Sequence, residues 1–200
     1  MTLVLPSRLD TCLDWYRGEP GVALDRDQYC ATRDVFEGRL GRLVADCERS
    51  GCDPGSAALF AAVTGEIGNN TFDHNLGHWT DEPGCWFGYA TGRACVSWVA
   101  DRGRGVLASL RTTVPSLQDH ATALETAFRR VVSGRHPERR GNGLKFVRRI
   151  VNADPRRGIV ATSGTASVHF GGMGPELRAL RTWPTHQESG MLAVVAWEMP

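Results

Sequence analysis

Three polar side chains follow one another along a predicted helix at spacings that place them on one side. Glu66, Asn70 and Asp73 are separated by four and three residues, so their side chains line up along the same face. The neutral amide oxygen of Asn70 suits Mg²⁺, a hard cation that keeps several waters and takes few protein ligands. Glu66, one turn earlier, could polarise a water or a hydroxyl for attack on a phosphate. The helix therefore carries a candidate metal ligand beside a candidate general base.

Two glycine-marked segments supply the other candidate chemistry. Asp101 ends a predicted strand and is followed by Gly103 and Gly105, which let the backbone come close to a bound group. Further along, the run RGNGL at residues 140–144 opens a predicted helix. The first-turn N–H groups of a helix have no intrahelical partners, so this segment is a candidate anion site, with phosphate as the expected guest.

Two predicted helices position the polar row. Apolar residues at roughly helical spacing predict a first helix over residues 27–50. A second helix is predicted to start at Asp53 or Ser56 as its N-cap and to run to about Asn75. If Asp53 is the cap, Pro54 occupies the first turn, where proline is favoured.

The strands follow this helix. Cys85–Ala90 and Arg93–Ala100 are rich in aromatic and β-branched residues and are predicted to form a hairpin. The later segments are, in chain order, a polar and basic stretch at 106–140 with a helix from about Asp119 to Val132, a helix from Leu144, strand-rich segments at 158–170 and 191–197, and between them a loop with a helical turn near 175–180. The economical architecture is one α+β domain, a mixed or antiparallel sheet covered on one face by helices.

Composition limits the classes of partner. The chain has 200 residues, 42% of them hydrophobic, and a formal charge of +1, which gives no electrostatic reason to expect nucleic acid or an anionic membrane. No apolar run reaches the roughly 20 residues that span a bilayer, and the opening segment is charged too soon for a signal peptide. None of the six cysteines sits in a Cys-x-x-Cys pair, which favours reduced thiols in a cytoplasmic protein over disulfides or zinc.

The polar row and the two glycine segments carry a family resemblance. EIGNNTFD at 66–73, DRGRG at 101–105 and RGNGL at 140–144 resemble, in that order, the N-box and the two glycine boxes of the GHKL ATPases, which include gyrase, heat-shock chaperones, histidine kinases and MutL. The second glycine box is most similar to that of anti-sigma-factor serine kinases and histidine kinases, and the first to that of gyrase. The resemblance implies a two-layer, Bergerat-type ATP-binding domain over residues 53–200, with residues 1–52 as an extension packed on it.

The resemblance also implies roles for the site residues, with ATP and Mg²⁺ as cofactors. Asn70 matches the position that ligates the metal, and Glu66 matches the base of those members that hydrolyse ATP. Asp101 matches the carboxylate that accepts the exocyclic amine of adenine. Asp73 resembles a position that supports the adenine or ribose side of the pocket, although it could equally pair with an arginine such as Arg104.

The glycines complete the implied pocket. Gly103 and Gly105 would allow close approach to the base, and Gly141 and Gly143 would do the same under the phosphates, with the N–H groups of Gly143 and Leu144 as donors. Two departures from the family pattern stand out. The small residue after the N-box asparagine is Thr71, and the Gly-Thr pair of the late strand has two candidates, Gly164-Thr165 and the imperfect Gly190-Met191.

Two classes of function follow from the resemblance. One is a serine/threonine kinase of the anti-sigma type that phosphorylates a small protein partner, such as a STAS-like or sigma-factor-type regulator. The other is an ATP-gated interaction switch or a slow ATPase, in which residues 106–140 close over ATP as a lid. A homodimer is compatible with either class. The chain lacks a phosphoacceptor-histidine motif, which disfavours autophosphorylation.

Overall fold

The computed structural model describes residues 5–129, 142–172, 175–180 and 189–198 of the chain. Within these ranges the helices are α1 Arg8–Arg17, α2 Arg33–Arg49, α3 Pro54–Asn75, α4 Gly105–Arg111, α5 His120–Arg129, α6 Gly143–Asn152 and α7 Pro175–Ala179. The strands are β1 Tyr29–Cys30, β2 Cys85–Ala90, β3 Ala94–Asp101, β4 Arg157–Ser163, β5 Ala166–Gly171 and β6 Met191–Glu198. None of the described helices is long and apolar enough to cross a membrane.

The strands form a single six-stranded sheet in the order β1-β2-β3-β6-β4-β5, in which every neighbouring pair is antiparallel. β6 lies between β3 and β4, and its first residue, Met191, is the cross-strand partner of Asp101 at the end of β3. The predicted α+β architecture with an antiparallel sheet and a helical layer is confirmed.

The two faces of the sheet bury different sets of side chains because successive residues of a strand point to opposite sides. Val99 of β3 belongs to the core formed with α2, α3, α5 and α6. Trp98 and Ala100 belong to a second core on the opposite face, formed with α1 and α7. Asp101, two residues after Val99, therefore points into the helical layer. The packing of α1 against the second face was not predicted from the sequence.

Helix α3 packs closely on α2 because two residues on the side that faces α2 are glycines. A Cβ atom on Gly65 would lie 2.9 Å from a methyl carbon of Leu40, and one on Gly68 would overlap the ring of Phe36. The helix begins where the sequence predicted, since the Asp53 side chain accepts a hydrogen bond from the Ser56 N–H at 3.0 Å. The prediction of α3 is confirmed at both ends.

Two predicted segments differ from the structure. The helix expected from residue 27 begins only at Arg33, after the N-cap Thr32, and Tyr29 instead pairs with Trp86 in the sheet. The stretch expected as a lid loop contains helix α4 at Gly105–Arg111 ahead of α5. Residues 130–141, which complete that stretch, lie outside the described residues.

Candidate functional site

A cavity opens where the ends of β3 and β6 meet α3, α4, α5 and α6. It encloses about 580 Å³, part of which is open to solvent. Apolar side chains form most of the wall: Ile67, Val99, Val106, Leu110, Ala127, Leu144 and Met191. The polar lining is Asn70, Thr71, His74, Asn75, Asp101 and Ser109, and Gly105 completes it. Small-molecule sites have this character, since they are concave and mostly apolar with a few convergent polar groups.

Asp101 is the buried charge of this cavity, with only 4% of its surface exposed. Its Oδ1 accepts hydrogen bonds from the Gly103 N–H at 2.8 Å and from Asn75 Nδ2 at 3.1 Å. Its Oδ2 accepts one from Thr71 Oγ1 at 3.2 Å. A carboxylate has about four acceptor sites, and the backbone N–H of Met191 also reaches this one, so a donor that enters the cavity would share or replace one of these hydrogen bonds.

Burial raises the pKa of Asp101 to about 6, because desolvation disfavours the charged form. The hydrogen bonds from Gly103, Thr71 and Asn75 and the backbone N–H of Met191 act in the opposite direction and limit the rise. Among the described residues, no lysine or arginine forms an ion pair with this carboxylate. The buried charge is therefore held by hydrogen bonds from neutral groups, and a ligand that donates another would stabilise it further.

Asn75 organises the loop that follows β3. Its amide nitrogen donates to Asp101, and its amide oxygen accepts the N–H of Arg104 at 3.2 Å. A Cβ atom on Gly103 would overlap the Asn75 side chain. The absence of a side chain at Gly103 therefore makes room for Asn75, whereas the sequence had indicated that it makes room for a bound base.

Thr71 and Asn75 line the cavity and contact Asp101, and the sequence analysis did not assign them to the site. Both lie on α3, and they follow Ile67 at steps of four residues, so all three face the cavity. This periodicity could have identified them once Asp101 was placed opposite the helix. Thr71, noted only as a departure from the family pattern, supplies a hydroxyl to the carboxylate.

Gly105 connects β3 to α4 in a backbone conformation that favours glycine, with φ of +76°. The hydroxyl of Ser163 secures this junction, because it accepts the Val106 N–H at 3.0 Å and donates to the Gly190 carbonyl at 2.7 Å. Met191, the second residue of the Gly190-Met191 pair, lines the cavity.

The other candidate pair of the late strand lies elsewhere. Gly164-Thr165 forms the turn between β4 and β5, where the Thr165 N–H donates to His120 Nδ1 at 2.8 Å. Since residue 191 is methionine, the hydroxyl beside Asp101 comes from helix α3 and not from the late strand.

The remaining predicted residues divide between the cavity and its surroundings. Asn70 and Leu144 line the cavity. Glu66 is exposed, and a Cβ atom on Gly143 would overlap its carboxylate, so Glu66 lies against the first residue of α6. Gly141 lies outside the described residues.

Asp73 is not part of the cavity lining. It is exposed on α3 and forms an ion pair with Arg33. Its arginine partner is thus Arg33 and not Arg104, and its support of a nucleotide stays a prediction. His74, the next residue of α3, is exposed and contributes to the cavity wall.

A metal ion in the cavity would depend on oxygen ligands from a bound molecule. Within the described ranges, no group of three His, Cys, Asp or Glu side chains close enough to share an ion occurs at this cavity. Asn70 offers one amide oxygen there. One protein oxygen fits Mg²⁺, which commonly binds through one or two protein ligands, water and phosphate oxygens.

Comparison of the chain with models of known protein families and with curated proteins finds no match.

Proposed function

We propose that this protein binds ATP and Mg²⁺ as a member of the GHKL superfamily and acts as a stand-alone serine/threonine kinase of the anti-sigma type. The observation that carries the proposal is the buried carboxylate of Asp101 in a largely apolar cavity, where it forms hydrogen bonds but no ion pair with the described residues. Among the described residues, each of the three sequence motifs contributes a side chain to this cavity: Asn70, Asp101 and Leu144. Six free, buried cysteines are in keeping with the reducing cytoplasm, where we place the protein.

The wall around Asp101 fits an adenine ring. Val99, Met191 and Ile67 provide apolar surface for the flat base, and the carboxylate provides an acceptor for its exocyclic amine. Guanine presents an oxygen at the equivalent ring position, so it would place an acceptor against an acceptor. An unsatisfied buried polar group costs on the order of 1–3 kcal/mol, which favours adenine.

The opposite side of the cavity fits the phosphates. Leu144 lies in the first turn of α6, whose N-cap residue Asn142 makes no side-chain capping bond. The N–H groups of Gly143 and Leu144 are therefore the candidate donors to an anion, and the helix dipole adds to the attraction. Asn70 faces the same cavity from α3 and would offer its amide oxygen to Mg²⁺.

The position of Glu66 supports transfer to a protein hydroxyl. Bound ATP supplies the phosphoryl group, and Mg²⁺ offsets its charge. Glu66 is exposed beside Gly143, at the end of the site where the phosphates are proposed to lie. A carboxylate that is open to solvent there can accept the proton of a serine or threonine hydroxyl presented by a partner protein.

The alternative is an ATP-gated switch or slow ATPase. Helices α4 and α5 contribute Val106, Leu110 and Ala127 to the cavity wall. A nucleotide would therefore touch these helices directly and could shift their position, provided that it contacts their two arrangements differently. Such a shift could expose or hide a surface for a STAS-like or sigma-factor-type protein, or for a second copy of the chain.

Isothermal titration calorimetry tests the binding site. Asp101→Asn should weaken ATP binding by at least about fivefold, because the buried acceptor is lost. The matched control is Asp14→Asn on α1, an exposed carboxylate on the opposite face of the sheet, which should leave affinity unchanged. Equal affinities for both variants and the wild type would refute the assignment of the pocket.

A single-turnover assay with γ-labelled ATP separates the two activities. Label on a serine or threonine of an added STAS-like protein, lost in Glu66→Gln, supports the kinase. Release of free phosphate alone supports the ATPase, and stable bound ATP supports the switch.

A further inference from the structure

Three cysteine thiols meet at the edge of the helical layer, away from the cavity. Cys47 lies in the last turn of α2, Cys52 directly precedes the N-cap of α3, and Cys95 is the second residue of β3. The Sγ atom of Cys95 lies 3.6 Å from that of Cys47 and 3.7 Å from that of Cys52. Cys95 and Asp101 are six residues apart along β3, so the cluster lies roughly 20 Å from the cavity carboxylate.

The backbone alone brings two of these thiols together. The Cys52 N–H donates to the Cys47 carbonyl at 3.0 Å, and the Gly51 N–H donates to the Glu48 carbonyl at 3.0 Å. Gly51 has a φ of +93°. This pattern is a Schellman motif, in which the residues at the positions of Cys47 and Cys52 normally make an apolar contact. A pair of buried cysteines could serve that packing role as small apolar side chains.

The third thiol goes beyond what the helix end requires. Cys95 comes from another element, 43 residues after Cys52, and the Gly92 N–H donates to its sulfur. A hydrogen bond between the hydroxyls of Ser50 and Thr91, 2.8 Å long, joins the helix turn to the β2–β3 turn. The three sulfur atoms all lie within 4.8 Å of one another.

The sulfur spacing matches thiolate coordination. With metal–sulfur bonds of about 2.3 Å, two thiolates of a tetrahedral zinc site lie about 3.8 Å apart. The two hydrogen-bonded separations here differ from that value by only 0.1–0.2 Å. The apolar contact at the helix end requires only Cys47 and Cys52, so it does not explain a third sulfur at the same distance.

We propose that Cys47, Cys52 and Cys95 form a structural site for a thiophilic cation, Zn²⁺ or Cu⁺. Soft thiolate ligands select these two ions. Each cysteine that binds gives up its thiol proton to solvent, and its sulfur donates a lone pair to the cation without any change in oxidation state. Cys52 is the most exposed of the three at 6%, so a water molecule could reach the cation from its side and become the fourth ligand of a zinc ion. The bound cation would fasten α2, α3 and β3 to one another.

Metal analysis of the full chain tests the site. The protein is purified in metal-free buffer with a phosphine reductant, incubated with Zn²⁺ or, without oxygen, with Cu⁺, and then desalted. Mass spectrometry should find about one ion per chain. Zn²⁺ retention identifies a zinc site, and retention of Cu⁺ alone identifies a copper site. Replacement by Co²⁺ should give a sulfur-to-cobalt charge-transfer band in the near ultraviolet.

Serine variants assign the ligands. Cys47→Ser, Cys52→Ser and Cys95→Ser should each lose at least about 90% of the retained ion. Cys12→Ser is the matched control, because Cys12 is equally buried but lies in the core on the opposite face, and it should retain the ion. Circular dichroism confirms that each variant is folded, and the cobalt spectrum of the wild type tests the site without any substitution.

Three results would overturn the proposal. The first is a wild-type chain that neither retains an ion nor shows the cobalt band. The second is retention by the cluster variants equal to that of the Cys12→Ser control. The third is a loss of two hydrogen masses that maps to a disulfide within the cluster and persists in the reductant.

Discussion

Replacement of Asp101 by asparagine should change how the stability of the protein depends on pH. Burial raises the pKa of this carboxyl from 3.8 to about 6, a difference worth about 3 kcal/mol. The folded state holds the proton more tightly than the unfolded state, so protonation of Asp101 stabilises the fold. This stabilisation is fully present below the unfolded pKa and is lost as pH rises through the folded pKa. Asparagine does not titrate, so the variant lacks this loss.

Urea denaturation of both proteins measures the effect. The free energy of unfolding of Asp101→Asn minus that of the wild type should increase with pH, by about 2 kcal/mol between about pH 4.5 and about pH 7.5. Taking this difference removes the pH dependence that the two proteins share. The cost of hydrogen bonds that the substitution weakens equally at all pH values does not change with pH and therefore does not affect the slope. Parallel stability profiles would show that Asp101 has an ordinary pKa and that its burial is not the source of an unpaired charge.

Three further results are expected. Asn70→Ala should weaken ATP binding far more in Mg²⁺ than in EDTA by calorimetry, and equal losses would point to a structural asparagine. Gly68→Ala should destabilise the protein by about 1–3 kcal/mol in urea denaturation, because its Cβ would overlap Phe36. Gly41→Ala has open space around it and should instead stabilise the protein by up to about 1 kcal/mol. In hydrogen exchange, a non-hydrolysable ATP analogue should protect residues 105–129 more than ADP does, and identical protection would exclude a lid.

The parts of the fold that follow from local chemistry could be predicted from the sequence. Helix α3 carries its start signal in the Asp53 cap and in a proline in the first turn, and these signals act within a few residues. The β2–β3 hairpin is likewise a local pairing between neighbouring strands. For the same reason the sequence placed Asp101 at the end of a strand.

Residues whose roles depend on distant contacts escaped prediction. Tyr29 fits the apolar spacing of a helix, but its pairing with Trp86, 57 residues away, holds it in a strand. Ser163 fixes the start of α4 although the two lie 57 residues apart. The thiol cluster has no local spacing motif, since Cys95 joins it through the sheet. Sequence periodicity indicates on which face of a helix or strand a residue lies, but not which distant residue packs against that face.

The central place of β6 has a consequence for how the site comes into being. β6 alone joins the β1–β3 part of the sheet to the β4–β5 part, and it is the last described strand in sequence. Its pairing with β3 closes a chain segment of about 90 residues, the kind of distant contact that slows folding. Until it inserts, both halves expose an unpaired strand edge, which is prone to aggregation. Met191 reaches Asp101 in the same step, so the cavity should be the last part of the molecule to form, and nucleotide added during refolding should act after the rate-limiting step and not before it.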